Sequence, residues 1–163
     1  MDTREKQLFV KMVLDAWNSS LKRTDALINS LTDESLGKQV SAERNSGTYL
    51  LGHLAAIHDR MISLLGFGEP LRPEFFEWYV SKPEKENNHE MPVSELRNYW
   101  KEVNAKLNDY FIQMSPEDWF QKHNSISATD FEKEPHRNRL NVMISRTNHM
   151  EYHRGQLAFL KNE

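Results

Sequence analysis

Four segments of the chain carry apolar residues every three to four positions, the spacing of an amphipathic α-helix. The spacing predicts helices over about Thr3–Ser30, Thr48–Leu65 and Val93–Met114, and a last helix that begins near Asn138. No segment alternates apolar and polar residues as a half-buried strand does. Because amphipathic helices bury their apolar faces against one another, the sequence predicts an all-α fold. The predicted architecture is a four-helix bundle with long connections between helices 2 and 3 and between helices 3 and 4.

Polar segments with glycine or proline separate these predicted helices. Gly66 and Gly68 are expected to end the second helix, and Pro73 is expected to open a short helix. That short helix would carry four aromatic residues, Phe75, Phe76, Trp78 and Tyr79. Ser115–Asp118 has the pattern of a capped turn, whereas the polar segment His123–His136 predicts an irregular connection.

The composition bounds the class of protein. With 163 residues and no internal repeat or linker, residues 1–163 are predicted to form a single domain. The formal net charge of −3 predicts neither nucleic acid nor a membrane as a partner. Because cysteine is absent, only histidines and carboxylates remain as candidate metal ligands. The charged first residues and the lack of an apolar run of about 18 residues lead us to expect a cytoplasmic protein.

Two histidines on the last predicted helix are candidate metal ligands. His149 and His153 lie one helical turn apart, within about 40° of the same face. Two imidazoles in this arrangement can direct their lone pairs at one ion. The HxxxH spacing alone is a weak signal, because two solvated or core histidines have the same spacing. A third ligand is needed to distinguish these interpretations.

The second predicted helix offers two candidates for the third ligand. His53 lies within the apolar stripe of this helix, and His58 also has apolar neighbours. The two side chains differ by about 140° around the helix, so they cannot easily face one ion together. Facing helices of a bundle can build a metal site in their shared core. The spacing itself does not choose between His53 and His58.

Two segments resemble the signature segments of a known family. SGTYLLGHLAAIHDR at Ser46–Arg60 and NHMEYHRGQL at Asn148–Leu157 are similar to those of the DinB/YfiT-like superfamily of metal-dependent enzymes. The resemblance spans nearly the whole chain, and its most specific part is the HxxxHxGQ pattern that begins at His149. One departure is Asn45, where family members often have a tryptophan. This difference concerns the shape of the pocket rather than metal ligation.

The resemblance implies a metal triad of His53, His149 and His153, and it is the reason for preferring His53 over His58. Three imidazoles suit a divalent transition metal as cofactor, with zinc or nickel favoured and iron or copper as alternatives. Three imidazoles would leave a coordination position for a water molecule or a thiolate, which is the predicted reacting group.

The predicted function is that of a metal-dependent enzyme acting on a small molecule, either a hydrolase or a low-molecular-weight thiol S-transferase. A peptidase is disfavoured because Met150 replaces the glutamate of an HExxH motif, and Glu151 is expected to face away from the histidines. The alternative is a non-catalytic helical protein that binds a metal or another ligand. Exposed apolar residues on the long first helix would make a homodimer the default assembly.

Two further residues are predicted to bind the substrate. Arg60 follows His53 by two turns and would meet an anionic group, or else lie solvated. Gln156 follows His149 by two turns and would contact a ligand, an imidazole or a neighbouring helix. The aromatic residues after Pro73 are expected to line a pocket or to pack under the connection. The histidines of the polar loops are expected to be exposed: His89, His123 and His136.

Overall fold

The structure, a computed structural model, describes residues 1–87, 89 and 91–161. Within these residues the α-helices are α1 (Thr3–Ser30), α2 (Asp33–Leu36), α3 (Gly47–Leu64), α4 (Glu74–Phe76), α5 (Val93–Phe111), α6 (Pro116–Trp119), α7 (Ala128–Lys133) and α8 (Arg139–Leu157). A π-helical segment, Glu77–Ser81, continues α4, and 3-10 turns cover Glu84–Glu86 and Ala158–Leu160. The described residues form no β-strand, so the prediction of an all-α fold is confirmed. None of the helices in this part of the chain combines the length and the apolar character that crossing a membrane requires.

Caps fix the ends of the two helices that carry the candidate histidines. Ser46 Oγ accepts a hydrogen bond from the backbone N–H of Tyr49 at the start of α3 (3.1 Å). The side chain of Asn138 accepts one from the N–H of Asn141 at the start of α8 (2.9 Å). Both bonds satisfy backbone donors that have no partner within the helix. After α3, Gly66 adopts a φ of 86°, a left-handed conformation that glycine allows without steric cost.

Helices α3 and α8 lie against each other in antiparallel orientation. Gly47, at the start of α3, packs against Leu160, which lies just after the end of α8. Gly66, just after α3, lies beside Arg139 at the start of α8. Residues of the two helices are therefore paired in opposite order along the chain. This pairing brings His53 of α3 level with the histidines of α8.

The other long helices complete the core. Helix α1 packs against α8, and α5 packs against α3. Between α5 and α1, Trp100 Nε1 donates to Asp25 (2.6 Å), and Arg97 donates to the carbonyl oxygens of Ile28 and Leu31. The interior contains large apolar side chains: Trp17, Leu51, Leu54, Met61, Tyr99, Trp119, Met143 and Met150. The predicted arrangement of the long helices as a four-helix bundle stays a prediction.

The connection before α8 is more helical than predicted. The polar segment His123–His136, predicted to be irregular, contains α7. Ser127 caps this helix, because its Oγ accepts from the N–H of Asp130 and donates to the Asp130 carboxylate. No residue of α7 is buried, so apolar spacing gave no signal for it. The capping pattern of Ser127 and Asp130 was the sequence signal available for α7.

The third long helix is shorter than predicted. Helix α5 ends at Phe111 rather than Met114. The N–H of Met114 bonds to the carbonyl of Phe111, a tighter turn than that of an α-helix. This turn leads directly into Ser115, whose side chain caps α6 and thereby starts a new helical direction.

Candidate metal centre

Three histidine nitrogens converge between α3 and α8. The Nε2 atom of His149 lies 3.1 Å from Nε2 of His53 and 3.1 Å from Nε2 of His153. His53 projects from α3, whereas the other two histidines lie one turn apart on α8. Each of the three residues offers a ligand atom, and these atoms all lie within 4.8 Å of one another. The structure therefore brings together the three histidines that the family resemblance selects.

The backbone carbonyl of Tyr79 fixes the tautomer of His53. The Nδ1 atom of His53 lies 2.8 Å from the Tyr79 oxygen. Because a carbonyl oxygen only accepts hydrogen bonds, Nδ1 must carry the proton, and Nε2 presents a lone pair to the other histidines. Tyr79 lies in the π-helical segment, which ends at Ser81 and leaves this carbonyl available to a side chain.

The amide of Gln156 orients His153 in a similar way. Nδ1 of His153 lies 2.7 Å from Oε1 of Gln156, and Nε2 of the same amide lies 3.3 Å from the hydroxyl of Tyr152. In this orientation the amide oxygen accepts the Nδ1 proton of His153. Nε2 of His153 then presents a second lone pair to the centre. Partners of this kind fix the ring orientation of metal-binding histidines.

His149 occupies the middle of the cluster. Its Nε2 faces the lone pairs of His53 and His153, while its buried Nδ1 has no hydrogen-bond partner among the described residues. A proton on Nε2 of His149 would satisfy one neighbouring lone pair or be shared between two. A cation between the rings would accept all three lone pairs at once. The donor set therefore fits a metal ion better than a network of hydrogen bonds.

The spacing of the nitrogens agrees with the size of a first-row metal ion. A tetrahedral zinc ion with metal–nitrogen bonds of about 2.0–2.1 Å places its ligand nitrogens about 3.3–3.4 Å apart. The observed 3.1 Å separations differ from this value by a few tenths of an ångström. Small rotations of the imidazoles would close the difference, so the residues fit a divalent transition metal.

Burial keeps the three imidazoles neutral. It is the largest cause of the lowered pKa of His53, His149 and His153. For His149, the neighbouring His153 and His53 add to the effect of burial, and its pKa falls to about 3. Neutral imidazole is the form that binds metals. At neutral pH, protons would therefore compete only weakly with a cation for these nitrogens.

The family model of the DinB superfamily matches residues 16–157, a span that includes all three histidines. The chain belongs to the DinB superfamily. This finding confirms the resemblance that the two sequence segments indicated. The three-histidine cluster and the family together fit a metal-binding protein.

A solved structure is similar to this DinB-superfamily protein in its overall fold. It is described as a conserved protein of a locus from Enterococcus faecalis, with 17% sequence identity and a TM-score of 0.62. The alignment covers 92% of this chain and 93% of that chain. At this level of identity the likeness shows the fold alone. No curated protein is significantly similar to the chain.

His58, the rival for the third ligand position, lies in the core of this DinB-superfamily protein. Its ring is fully buried between Trp17 and Trp100, with ring centroids at 4.8 and 4.7 Å. Nδ1 of His58 donates to Oδ1 of Asn104 (2.7 Å), and Nδ2 of Asn104 donates to the Trp100 carbonyl. Burial lowers the pKa of His58 to about 4. His58 is thus held within the packing of three helices, whereas His53 lies in the histidine cluster. The structure therefore distinguishes the two candidates for the third ligand, which the sequence spacing alone could not do.

Glu151 faces α1, as its position on α8 predicts. Its carboxylate accepts hydrogen bonds from Ser20 Oγ (2.5 Å) and Arg23 (3.1 Å), and it also pairs with Arg154. Met150 is fully buried. The carboxylate of Glu151 is therefore engaged outside the histidine cluster, in agreement with the argument against a peptidase.

Arg60 lies over the ring of Phe76, with its guanidinium carbon 4.1 Å from the ring centroid. Its side chain is exposed and lines a cavity of about 340 Å³ together with Asp59 and Arg72. The three histidines do not line this cavity. The predicted contact of Arg60 with a substrate stays a prediction, as does that of Gln156.

The burial of the aromatic residues after Pro73 and of the loop histidines agrees only partly with the predictions. Phe75 and Tyr79 are buried, so they pack under the connection, whereas Phe76 lines the cavity beside Arg60. His89 and His136 are exposed, as predicted, but His123 is half-buried. The Nδ1 atom of His123 accepts a hydrogen bond from the backbone N–H of Ser125 (3.1 Å). This hydrogen bond holds the His123 ring against the local backbone.

Arg146 lies near the cluster, although no sequence motif indicated a role for it. It is half-buried on α8, three residues before His149, and its buried Nε has no hydrogen-bond partner among the described residues. Burial is the largest cause of the lowered pKa of His53, and the charge of Arg146 contributes to it. The guanidinium is therefore within electrostatic reach of the cluster. Its three-residue spacing from a metal-ligand candidate was the signal available in the sequence.

A cavity of about 270 Å³ adjoins the cluster at His153. It is lined by Val40, Glu43, Arg44, Asn45, Leu50, Tyr152, His153 and Gln156. Glu43 has a φ of 58°, which is uncommon for a residue other than glycine. The loop before α3 thus holds a charged side chain in an unfavourable backbone conformation at the wall of this cavity.

Replacing Gly52 with alanine is expected to disturb both the fold and the cluster. A Cβ atom at Gly52 would lie 2.5 Å from the ring atoms of Tyr79, so that ring must move. Crowding of this kind costs about 1–3 kcal/mol of unfolding free energy. Because the Tyr79 carbonyl holds His53, metal affinity should fall as well. Urea unfolding and a metal titration of Gly52→Ala would measure the two effects.

Gly155 provides the matched control on α8. A Cβ at Gly155 meets no atom within 4 Å, so Gly155→Ala should be neutral or stabilise the helix by up to about 1 kcal/mol. Equal stability and equal metal affinity for Gly52→Ala and Gly155→Ala would show that Tyr79 does not support the cluster.

Proposed function

We propose that this DinB-superfamily protein is a metal-dependent enzyme that acts on a small molecule through an open site formed by His53, His149 and His153. The main support is that Nε2 of His149 lies 3.1 Å from Nε2 of both His53 and His153, with the Nδ1 protons of these two rings held elsewhere. Zinc or nickel is the favoured ion, with iron or copper as alternatives. The proposal includes a four-helix bundle of α1, α3, α5 and α8, which the contacts between these helices support.

The chain's own residues would hold the ligands in position. Tyr79 fixes the ring of His53 through its carbonyl, and Gln156 fixes the ring of His153 through its amide. Burial keeps the imidazoles neutral, so their lone pairs are available at neutral pH. A bound divalent ion would supply Lewis-acid chemistry, which lowers the pKa of a water molecule or of a thiol.

The cavity beside His153 is the proposed place for the small molecule. Its volume of about 270 Å³ is close to the lower end of typical ligand pockets, which is roughly 300 Å³. His153 forms part of its wall, so a molecule in the cavity would lie next to the cluster. Glu43 and Arg44 place one charge of each sign in the lining of the cavity. A compact polar substrate suits this lining better than an extended chain.

Two reaction classes agree with this site, hydrolysis and thiol S-transfer. The chain contains no cysteine, so a transferred thiol would come from a low-molecular-weight co-substrate. In hydrolysis, water would take the place of that thiol. Glu151 is bound to α1 and so would not assist a peptidase-like reaction. The proposal therefore covers small esters, amides and electrophilic acceptors of thiols.

The proposal is tested by purifying the protein without an affinity tag or chelator and loading it with zinc or nickel. The loaded protein is screened with reduced thiols plus electrophilic acceptors, and with a panel of small esters and amides. We expect turnover that requires the metal and is lost in His53→Ala. Turnover that persists equally in the metal-free protein and in this variant would contradict the proposal.

The second candidate is a non-catalytic helical homodimer that binds a metal or another ligand. It is supported by exposed apolar side chains on the outer face of α1, where Leu8, Phe9 and Met12 are 59%, 52% and 60% exposed. Size-exclusion chromatography with light scattering would measure the assembly. A dimer that binds metal but turns over none of the screened compounds would favour this candidate over the enzyme.

A further inference from the structure

We propose that Arg146 binds an anionic group, a carboxylate or a phosphate, of the small molecule that reaches the three-histidine site. The inference rests on the proposed function, because it assigns the class of substrate for that same site. Arg60, on the facing helix, is the second cation that would share the charge of the bound anion. A neutral ester or amide without an acidic group would then be a poor substrate.

The position of Arg146 follows from the geometry of α8. Arg146 precedes His149 by three residues, which places it about 4.5 Å along the helix axis and about 60° around it. The cavity at His153 lies beyond His149 in the opposite direction along the helix. A small molecule bound at the histidine cluster would therefore have its anionic group on the Arg146 side of His149.

Arg146 and Arg139 each have a buried Nε without a partner among the described residues, and in this Arg146 differs from Arg97 and Arg154. Arg97 and Arg154 pair with acidic side chains at Asp33 and Glu151. Among the residues that the structure describes, Arg146 makes neither an ion pair nor a side-chain hydrogen bond, and its Nε is buried. Placing a charged group partly out of water without a partner is costly. A bound anion would offset that cost by pairing with the guanidinium group.

The carboxylates of α3 and α8, Asp59 and Glu151, are engaged elsewhere. Asp59 is buried and accepts hydrogen bonds from the backbone N–H groups of Leu71 and Arg72 and from the hydroxyl of Tyr99. Glu151 binds residues of α1 and Arg154. Neither carboxylate is free to neutralise Arg146, so the compensating charge would come from a ligand.

Arg60 adds a second positive charge from α3. The antiparallel pairing that sets Gly47 beside Leu160 and Gly66 beside Arg139 places Arg60 level with Arg146. Burial, and then the charge of Arg60, lowers the pKa of Arg146. Arg60 is held over the ring of Phe76, which limits how far it moves away. Two like charges repel, and an anion between them relieves the repulsion. Guanidinium groups bind carboxylates and phosphates through paired N–H donors, which selects this ligand class.

The test is an NMR titration of the zinc-loaded protein with inorganic phosphate and, separately, with succinate at constant ionic strength. We expect saturable binding of at least one anion, with a shift of the Arg146 Nε–H signal. Arg146→Gln should weaken that binding at least tenfold, because it removes charge-assisted hydrogen bonds. Comparing the two anions distinguishes a phosphate site from a carboxylate site.

Arg154→Gln is the matched control, because it removes the same charge from the same helix at an arginine that is already paired with Glu151. Its anion affinity should match that of the wild type. Elemental analysis of the same samples keeps the two proposals apart. A wild type without bound zinc would contradict the proposed function. A zinc-loaded wild type that binds neither anion, or binds it equally well in Arg146→Gln, would overturn this inference alone.

Discussion

Replacing His149 with alanine is expected to remove nearly all metal binding. Its Nε2 lies between those of His53 and His153, 3.1 Å from each, so its loss leaves two donors and an opening in the middle of the site. Loss of a partner outside the ligand set costs about 10- to 100-fold in metal affinity, and loss of a ligand should cost more. Competition of the protein with a chromophoric chelator for zinc would measure the affinity.

Two control variants show whether the loss of metal in His149→Ala is caused by the loss of a ligand. Gln156→Leu removes the partner of His153 but keeps the three imidazoles, so its affinity should fall by about 10- to 100-fold. His58→Ala removes a buried histidine that lies outside the cluster, so a folded sample should keep its metal. Circular dichroism would verify the fold of each variant. Metal affinity that falls in His58→Ala and persists in His149→Ala would refute the assignment.

Replacing Asp59 with alanine is expected to destabilise the fold by about 3 kcal/mol or more. The buried carboxylate accepts three hydrogen bonds, from the N–H groups of Leu71 (2.7 Å) and Arg72 (2.8 Å) and from the hydroxyl of Tyr99 (2.7 Å). Each buried donor left without a partner costs about 1–3 kcal/mol. Asp59 thereby joins α3, α5 and the connection that precedes α4. Urea unfolding followed by circular dichroism would measure the loss.

Asp15 provides the control for a removed carboxylate. It is exposed and pairs only with Lys11 one turn away, so Asp15→Ala should change stability by no more than about 0.5 kcal/mol. If Asp59→Ala were as stable as Asp15→Ala, the carboxylate would not hold the connection to the core.

The long helices were predictable because their signals are local. Helix α1 covers Thr3–Ser30 as predicted, since apolar spacing defines its body and the capping box of Asp2 and Glu5 defines its start. The second helix begins and ends one residue earlier than predicted, at Gly47 and Leu64. His149 and His153 were predictable as a pair for the same reason, because both lie on one turn of one helix.

The remaining parts of the site depend on contacts between distant segments. His53 is held by a backbone carbonyl of Tyr79, and no side-chain pattern encodes which carbonyl a π-helical segment leaves free. The choice between His53 and His58 depended on the family resemblance, because both have apolar neighbours on one helix. The three-residue spacing of Arg146 from His149 is visible in the sequence, but the lack of a partner for its Nε is revealed only by the packed structure.

The most direct test of the three-histidine centre is anomalous X-ray diffraction from crystals of the zinc-loaded protein. We expect an anomalous peak between α3 and α8, about 2.0–2.1 Å from the Nε2 atoms of His53, His149 and His153. A peak bound to other residues, or one from which the His53 ring is turned away, would contradict it.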